Sequence, residues 1–98
     1  MKLLTKALER LLPAIRSQEN LSLDDHKFYV RYFSPFGSWT WYACEYDPKE
    51  RIFFGYVIGF EKEWGEFSLT ELEAAGIQVE RDLYFKPCLF KELAEEEK

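Results

Sequence analysis

Apolar and polar positions alternate most clearly between Trp39 and Phe67, WTWYACEYDPKERIFFGYVIGFEKEWGEF, where aromatic and β-branched residues recur around one strong turn. Asp47-Pro48-Lys49-Glu50 places Asp at the first position of a type I turn and Pro at the second, with the Pro φ already set. If Asp47 faces Glu50, Tyr42 falls opposite Gly55 and Trp41 opposite Tyr56. Side chains alternate between faces. One face then carries Trp39, Trp41 and Ala43 across from Ile58, Tyr56 and Phe54, and is expected to be core. The other carries Thr40, Tyr42, Cys44 and Tyr46 across from Val57, Gly55 and Phe53. Gly55 and Gly59 leave a shallow strip there, to be covered by Tyr42 or the N-terminal helix in preference to a ligand.

Leu8, Leu11, Leu12 and Ile15 fall at i, i+3, i+4 and i+7, which predicts a short helix capped by Thr5 and stopped at Pro13. The stripe of Lys2, Lys6 and Arg10 reads as its solvated side. Residues 16–26 are polar and form a loop. KFYVRYF, residues 27–33, has strand periodicity, and with SPFGS as a turn it pairs with the Trp39 strand to make a three-stranded antiparallel meander. Residues 61–66 read as a connection or a short edge strand. Ser68-Leu69-Thr70-Glu71 is a capping box for a second short helix, Leu69 to Ala75, which Gly76 ends. IQVERDLYF then alternates as a fourth strand, and the chain finishes in an acidic tail expected to be a frayed helical turn. The fold class is therefore α+β: an antiparallel sheet of about four strands with two helices packed on it, as one domain over residues 1–98.

Ninety-eight residues suit a single core. Nine Phe, six Tyr and three Trp are many for that size, so some aromatic surface is expected to stay exposed and to mark an interaction site. The formal net charge of −5 is unevenly spread. Residues 1–33 hold six basic and four acidic groups, whereas residues 34–98 hold seven basic and fourteen acidic ones. That balance argues against general nucleic-acid binding and suits a protein that meets a basic surface. No apolar run is long enough for a membrane span, and the charged N-terminal segment is no signal peptide, so Cys44 and Cys88 are expected as reduced thiols in a cytoplasmic protein.

Candidate chemistry is sparse. Asp24, Asp25 and His26 are adjacent loop residues, a spacing that rarely converges on one ion, and neither metal nor cofactor is expected. Glu61, Glu63 and Glu66 could supply an acid/base pair but read first as solvated charges. Trp39, Trp41 and Trp64 could stack on bases, yet lack accompanying cations and read first as core.

At WTWYACEYDP, RIFFGYVIGFEKEWGEFSLTELE and ERDLYFKP the chain resembles a bacterial family catalogued as domain of unknown function 2958, over nearly its whole length. The resemblance implies a setting on plasmids, conjugative elements and phages; it implies no activity and no site residues. The expected function is accordingly that of a small acidic interaction protein, in the form of an inhibitor of a host nucleic-acid-targeting defence complex (anti-CRISPR or anti-restriction). The alternative is an accessory partner in plasmid or phage DNA transfer or replication, and a small carboxylate-dependent enzyme ranks below both. Glu61, Glu63, Trp64, Glu66, Trp39 and Tyr42 are the candidate contact residues.

Overall fold

The computed structural model describes residues 1–98 as an α+β domain. Its centre is a five-stranded antiparallel sheet in which β3 (Thr40–Asp47) lies between β2 (Val30–Phe33) and β4 (Ile52–Ile58). β5 (Lys62–Ser68) forms one edge beside β4, and the two-residue β6 (Glu80–Arg81) forms the other beside β2. A separate two-stranded ladder joins β1 (Lys27–Phe28) to β7 (Cys88–Leu89). The sheet thus has one strand more than expected, because residues 62–68 make a full strand.

The central hairpin forms where the turn chemistry places it, in a different register. Asp47 faces Ile52, not Glu50, because the loop runs on to Arg51, which takes the left-handed conformation (φ 58°). The Asp47 carboxylate accepts from the Lys49 N–H at 3.0 Å, the Asx geometry that favours Asp at a turn. Pairing then shifts by one residue between Ala43 and Glu45, a bulge centred on Cys44. Beyond it Tyr42 faces Tyr56, Trp41 faces Val57 and Ala43 faces Gly55. A one-residue slip moves a whole set of side chains to the other face, so Tyr56 and Phe54 part company with Trp41 and Ala43.

Both faces of the sheet are covered as a result. Ala43, Tyr46, Phe53, Val30 and Tyr32 lie under leucines from the two helical segments, Leu3, Leu4, Leu12, Leu69 and Leu72. Phe28, Tyr42, Cys44 and Tyr56 lie under Phe85, Phe90 and Leu93 from the C-terminal segment. We call these the leucine face and the tail face.

Helix α1 (Lys6–Leu11) begins at Thr5, whose hydroxyl accepts the Leu8 N–H at 3.2 Å, and stops before Pro13. It is too short to carry the expected four-residue stripe: Leu12 is buried and Leu8 packs on the core, but Leu11 is 53% exposed and Ile15 falls outside the helix. Leu3 and Leu4, ahead of the helix, take the remaining contacts. Helix α2 (Leu69–Ala74) is capped by Ser68, whose hydroxyl accepts the Glu71 N–H at 3.2 Å, and is followed by Gly76 at φ 61°.

The C-terminal third departs most from expectation. Gly76–Gln78 is a 3₁₀ turn, leaving Ile77 exposed, and the alternation of IQVERDLYF yields only the two residues of β6. Asp82 ends the strand by accepting the Tyr84 N–H at 2.9 Å, a local bond that competes with the ladder. The tail folds back instead of fraying. Phe90 meets Tyr56 edge-on (centroids 4.9 Å apart) and Trp64 at 5.1 Å, while the Tyr42 hydroxyl donates to Glu97 at 2.7 Å. The Lys62 ammonium donates to the carbonyls of Glu96 and Lys98. No helix is long and apolar enough to cross a membrane.

Candidate interaction surface

Trp39 and Trp41 stand two apart on β3 and its approach, so both project from the leucine face; both are half-buried, and Trp41 packs against the core there. Their rings stack at 5.8 Å with an interplanar angle of 28°, and Phe60, which is 95% exposed, meets Trp39 edge-on at 5.4 Å. A Cβ at Gly59 would run into the Trp39 ring, so Trp39 covers this glycine where Tyr42 or the N-terminal helix was expected to. A Cβ at Gly55 would strike the Tyr42 carbonyl, so that glycine answers to backbone approach at the bulge. Between the tryptophan ledge and α2 runs a trough of about 410 Å³, lined also by Phe67, Leu72 and Val79, with Glu71 at its lip.

Cross-strand neighbours share a face, so the row Trp41–Val57–Glu63 runs from the ledge to the β5 edge. Two strand spacings of roughly 4.8 Å separate Trp41 from Glu63. Glu66 sits opposite Phe54 and points to the tail face, while Glu61 lies in the turn before β5. All three are exposed, and none is ion-paired within the chain. The nearby Lys62 is held by the tail carbonyls. Because Glu63 and Glu66 project from opposite faces, these residues do not converge as a general acid and base.

Trp64 and Tyr42 are placed differently. Trp64 is half-buried on the tail face, stacked on Phe54 and Phe28 and edge-on to His26. Tyr42 is no contact residue in this structure: on the face opposite Trp41 it lies under Phe85 and Glu97 of the C-terminal segment, where it is 2% exposed. Burial, followed by its bond to the Glu97 carboxylate, raises its hydroxyl pKa well above the ordinary value.

Burial likewise raises both thiol pKa values, and the Cys44 thiol donates to the Phe54 carbonyl at 3.2 Å. Asp25 pairs with Lys91 at 2.9 Å, His26 Nδ1 bonds the Ser22 carbonyl at 2.9 Å, and no group of three or more His, Cys, Asp or Glu side chains is arranged to hold a metal ion. Glu45 is a residue the sequence reading passed over. Buried at the bulge, it accepts the N–H of Arg16 and of Gln18, each at 2.8 Å, with Arg16 at φ 74°. The Gln18 amide in turn accepts from Lys27 N–H and donates to the Cys44 carbonyl. A lone carboxylate inside the apolar run YACEY was the available signal; both its oxygens serve to tie the loop to the sheet.

The family described as protein of unknown function (DUF2958) matches residues 3–94. The chain belongs to the DUF2958 family. No curated protein and no solved structure matches it. In this DUF2958 chain the tryptophan ledge and the whole of β5 lie inside the matched region, whereas Glu97, the acceptor for Tyr42, lies outside it.

Proposed function

We propose that this DUF2958 protein is a small acidic interaction protein, not an enzyme, that binds a protein partner presenting a basic surface. The observation that carries the reading is the run of exposed carboxylates at Glu61, Glu63 and Glu66 along the β5 edge, which have no cation partner in the chain and of which Glu63 continues the face of the Trp39–Trp41 ledge. Basic surfaces of this kind belong to complexes that grip nucleic acid. Joined to the mobile-element setting that the family resemblance implies, this makes inhibition of a host nucleic-acid-targeting defence complex the favoured role. The exposed Phe60 beside the ledge favours a second reading, an accessory partner in DNA transfer or replication held through aromatic contacts.

The test is a pull-down from host lysate at low and high salt with three proteins. One is wild type, one carries Glu61, Glu63 and Glu66 changed to Lys, and one carries the same charge change at Glu50, Glu95 and Glu96. Exposed charges are screened over about 8–10 Å at physiological ionic strength. The partner should therefore be released by salt and lost only with the first variant. Salt-insensitive retention that survives that variant and is lost with Trp39→Ala and Phe60→Ala selects the aromatic reading.

A further inference from the structure

The two edges of the sheet are finished differently. At β6 the Arg81 N–H meets the Met1 sulfur at 3.2 Å, and the Arg81 guanidinium donates to the Lys2 carbonyl, so the N-terminal segment closes that edge. At β5 the backbone of residues 62–68 pairs with β4 alone, and none of the chain's other backbone hydrogen bonds reaches it. Seven residues of strand, roughly 20 Å at about 3.3 Å per residue, therefore offer their outward N–H and C=O groups to solvent. Gly65 sits at mid-edge, and a Cβ there would meet nothing within 4 Å.

Resting on the proposed basic partner, we infer that β5 is the docking element itself: it accepts an extended Lys- or Arg-bearing segment of the partner protein as a sixth strand of the sheet. Strand addition supplies affinity through main-chain hydrogen bonds and selectivity through side chains facing each other across the new ladder. Those side chains are dictated by β5. Glu63 points to the leucine face and Glu66 to the tail face. The incoming segment thus places one cation opposite each, three residues apart, within the roughly 5 Å that separates directly opposed Cβ atoms. Between them Gly65 leaves open space on the leucine face for a bulky incoming residue that reaches toward the tryptophan ledge. A second copy of this chain is the poorer occupant, since it would bring three more unpaired carboxylates to the same ridge. Charged residues are also a common means of blocking edges against association. The experiment separates blocking from docking.

The probe is a short Val/Thr-rich peptide with Lys at positions i and i+3. It is compared with the same peptide bearing Glu at those positions, and with the Lys peptide N-methylated at alternate residues along one edge or the other. Affinity is read by fluorescence anisotropy, and the β5 amides by hydrogen exchange. The Lys peptide should bind and protect the outward amides of residues 62–68. N-methylation along the edge that faces β5 should weaken binding at least about tenfold, by removing ladder hydrogen bonds while keeping the charge. Glu63→Lys with Glu66→Lys should transfer the preference to the Glu peptide. Equal binding of both N-methylated peptides without amide protection would overturn strand addition while leaving a charge-based partner intact. Failure of the Lys peptide to bind, or protection of β5 that appears with protein concentration alone, would also overturn it.

Discussion

The leucine face and the tail face of the sheet are closed in opposite ways. Leu69 and Leu72 follow β5 directly through a Ser68 cap, and Leu12 lies just past α1, so local helix signals deliver the leucine face its cover. The tail face draws Phe90 and Leu93 from a polar, acidic stretch more than twenty residues beyond the last long strand. That stretch is held by polar pins as well as by its aromatics: Lys62 to the tail carbonyls, Tyr42 to Glu97, and Lys91 to Asp25. The difference accounts for the position of the candidate surface. With the tail spent on one face and the leucines on part of the other, the Trp39–Trp41 end stays only half-buried, with the exposed Phe60 beside it.

Removing residues 88–98 should break this comparison outright. It uncovers Tyr56, Trp64 and Phe28 together, at roughly 1.5–3 kcal/mol for each large side chain lost from the interior. We expect a loss above about 4 kcal/mol, a large part of the stability of a domain this size. Trp39→Ala, at the open end, should cost no more than about 1 kcal/mol. Chemical denaturation of both variants measures the contrast; similar midpoints would mean the tail is not structural.

Gly55 and Gly65 sharpen the picture within the leucine face, because they sit opposite each other across β4 and β5. Gly55→Val drives its side chain against the Tyr42 carbonyl and should destabilise by about 2–3 kcal/mol. Gly65→Val enters open space and adds a good strand former, so it should be neutral or stabilising within about 1 kcal/mol. Equal losses for the two would refute the observed register.

The smallest expected effect is at alkaline pH. Burial raises the hydroxyl pKa values of Tyr32 on the leucine face and Tyr42 on the tail face, while tyrosines in the unfolded chain ionise near about 10. Above that pH the unfolded chain has lost protons that the native state retains, so stability is full below about pH 10 and falls as pH rises through the native values. Tyr42→Phe should cost about 1 kcal/mol at neutral pH through the lost Glu97 bond and should flatten the alkaline decline. Denaturation midpoints across that range check both; an unchanged slope would remove Tyr42 from the account.

Local chemistry by itself determined the turn after Asp47, the caps at Thr5 and Ser68, the stops at Pro13 and Gly76, and the meander of β2, β3 and β4. Each depends on residues within a few positions of one another, so the stretch that carries the signal also carries the structure. The register of β3 on β4 was decided by tertiary structure. Alternation around Asp47 is compatible with several pairings, and the bulge at Cys44 wins where Glu45 can reach the Arg16 and Gln18 N–H groups and Gly55 can pass the Tyr42 carbonyl. The same holds for the tail, whose charges read as solvated until Lys62 and Tyr42, more than thirty residues away, supply its partners. Of the six contact candidates, Glu61, Glu63 and Glu66 were legible as solvated charges from composition and alternation, whereas Trp39, read first as core, is half-buried with its ring over Gly59. The cover over Trp64 and Tyr42 was not legible, because it comes from a distant segment of the chain.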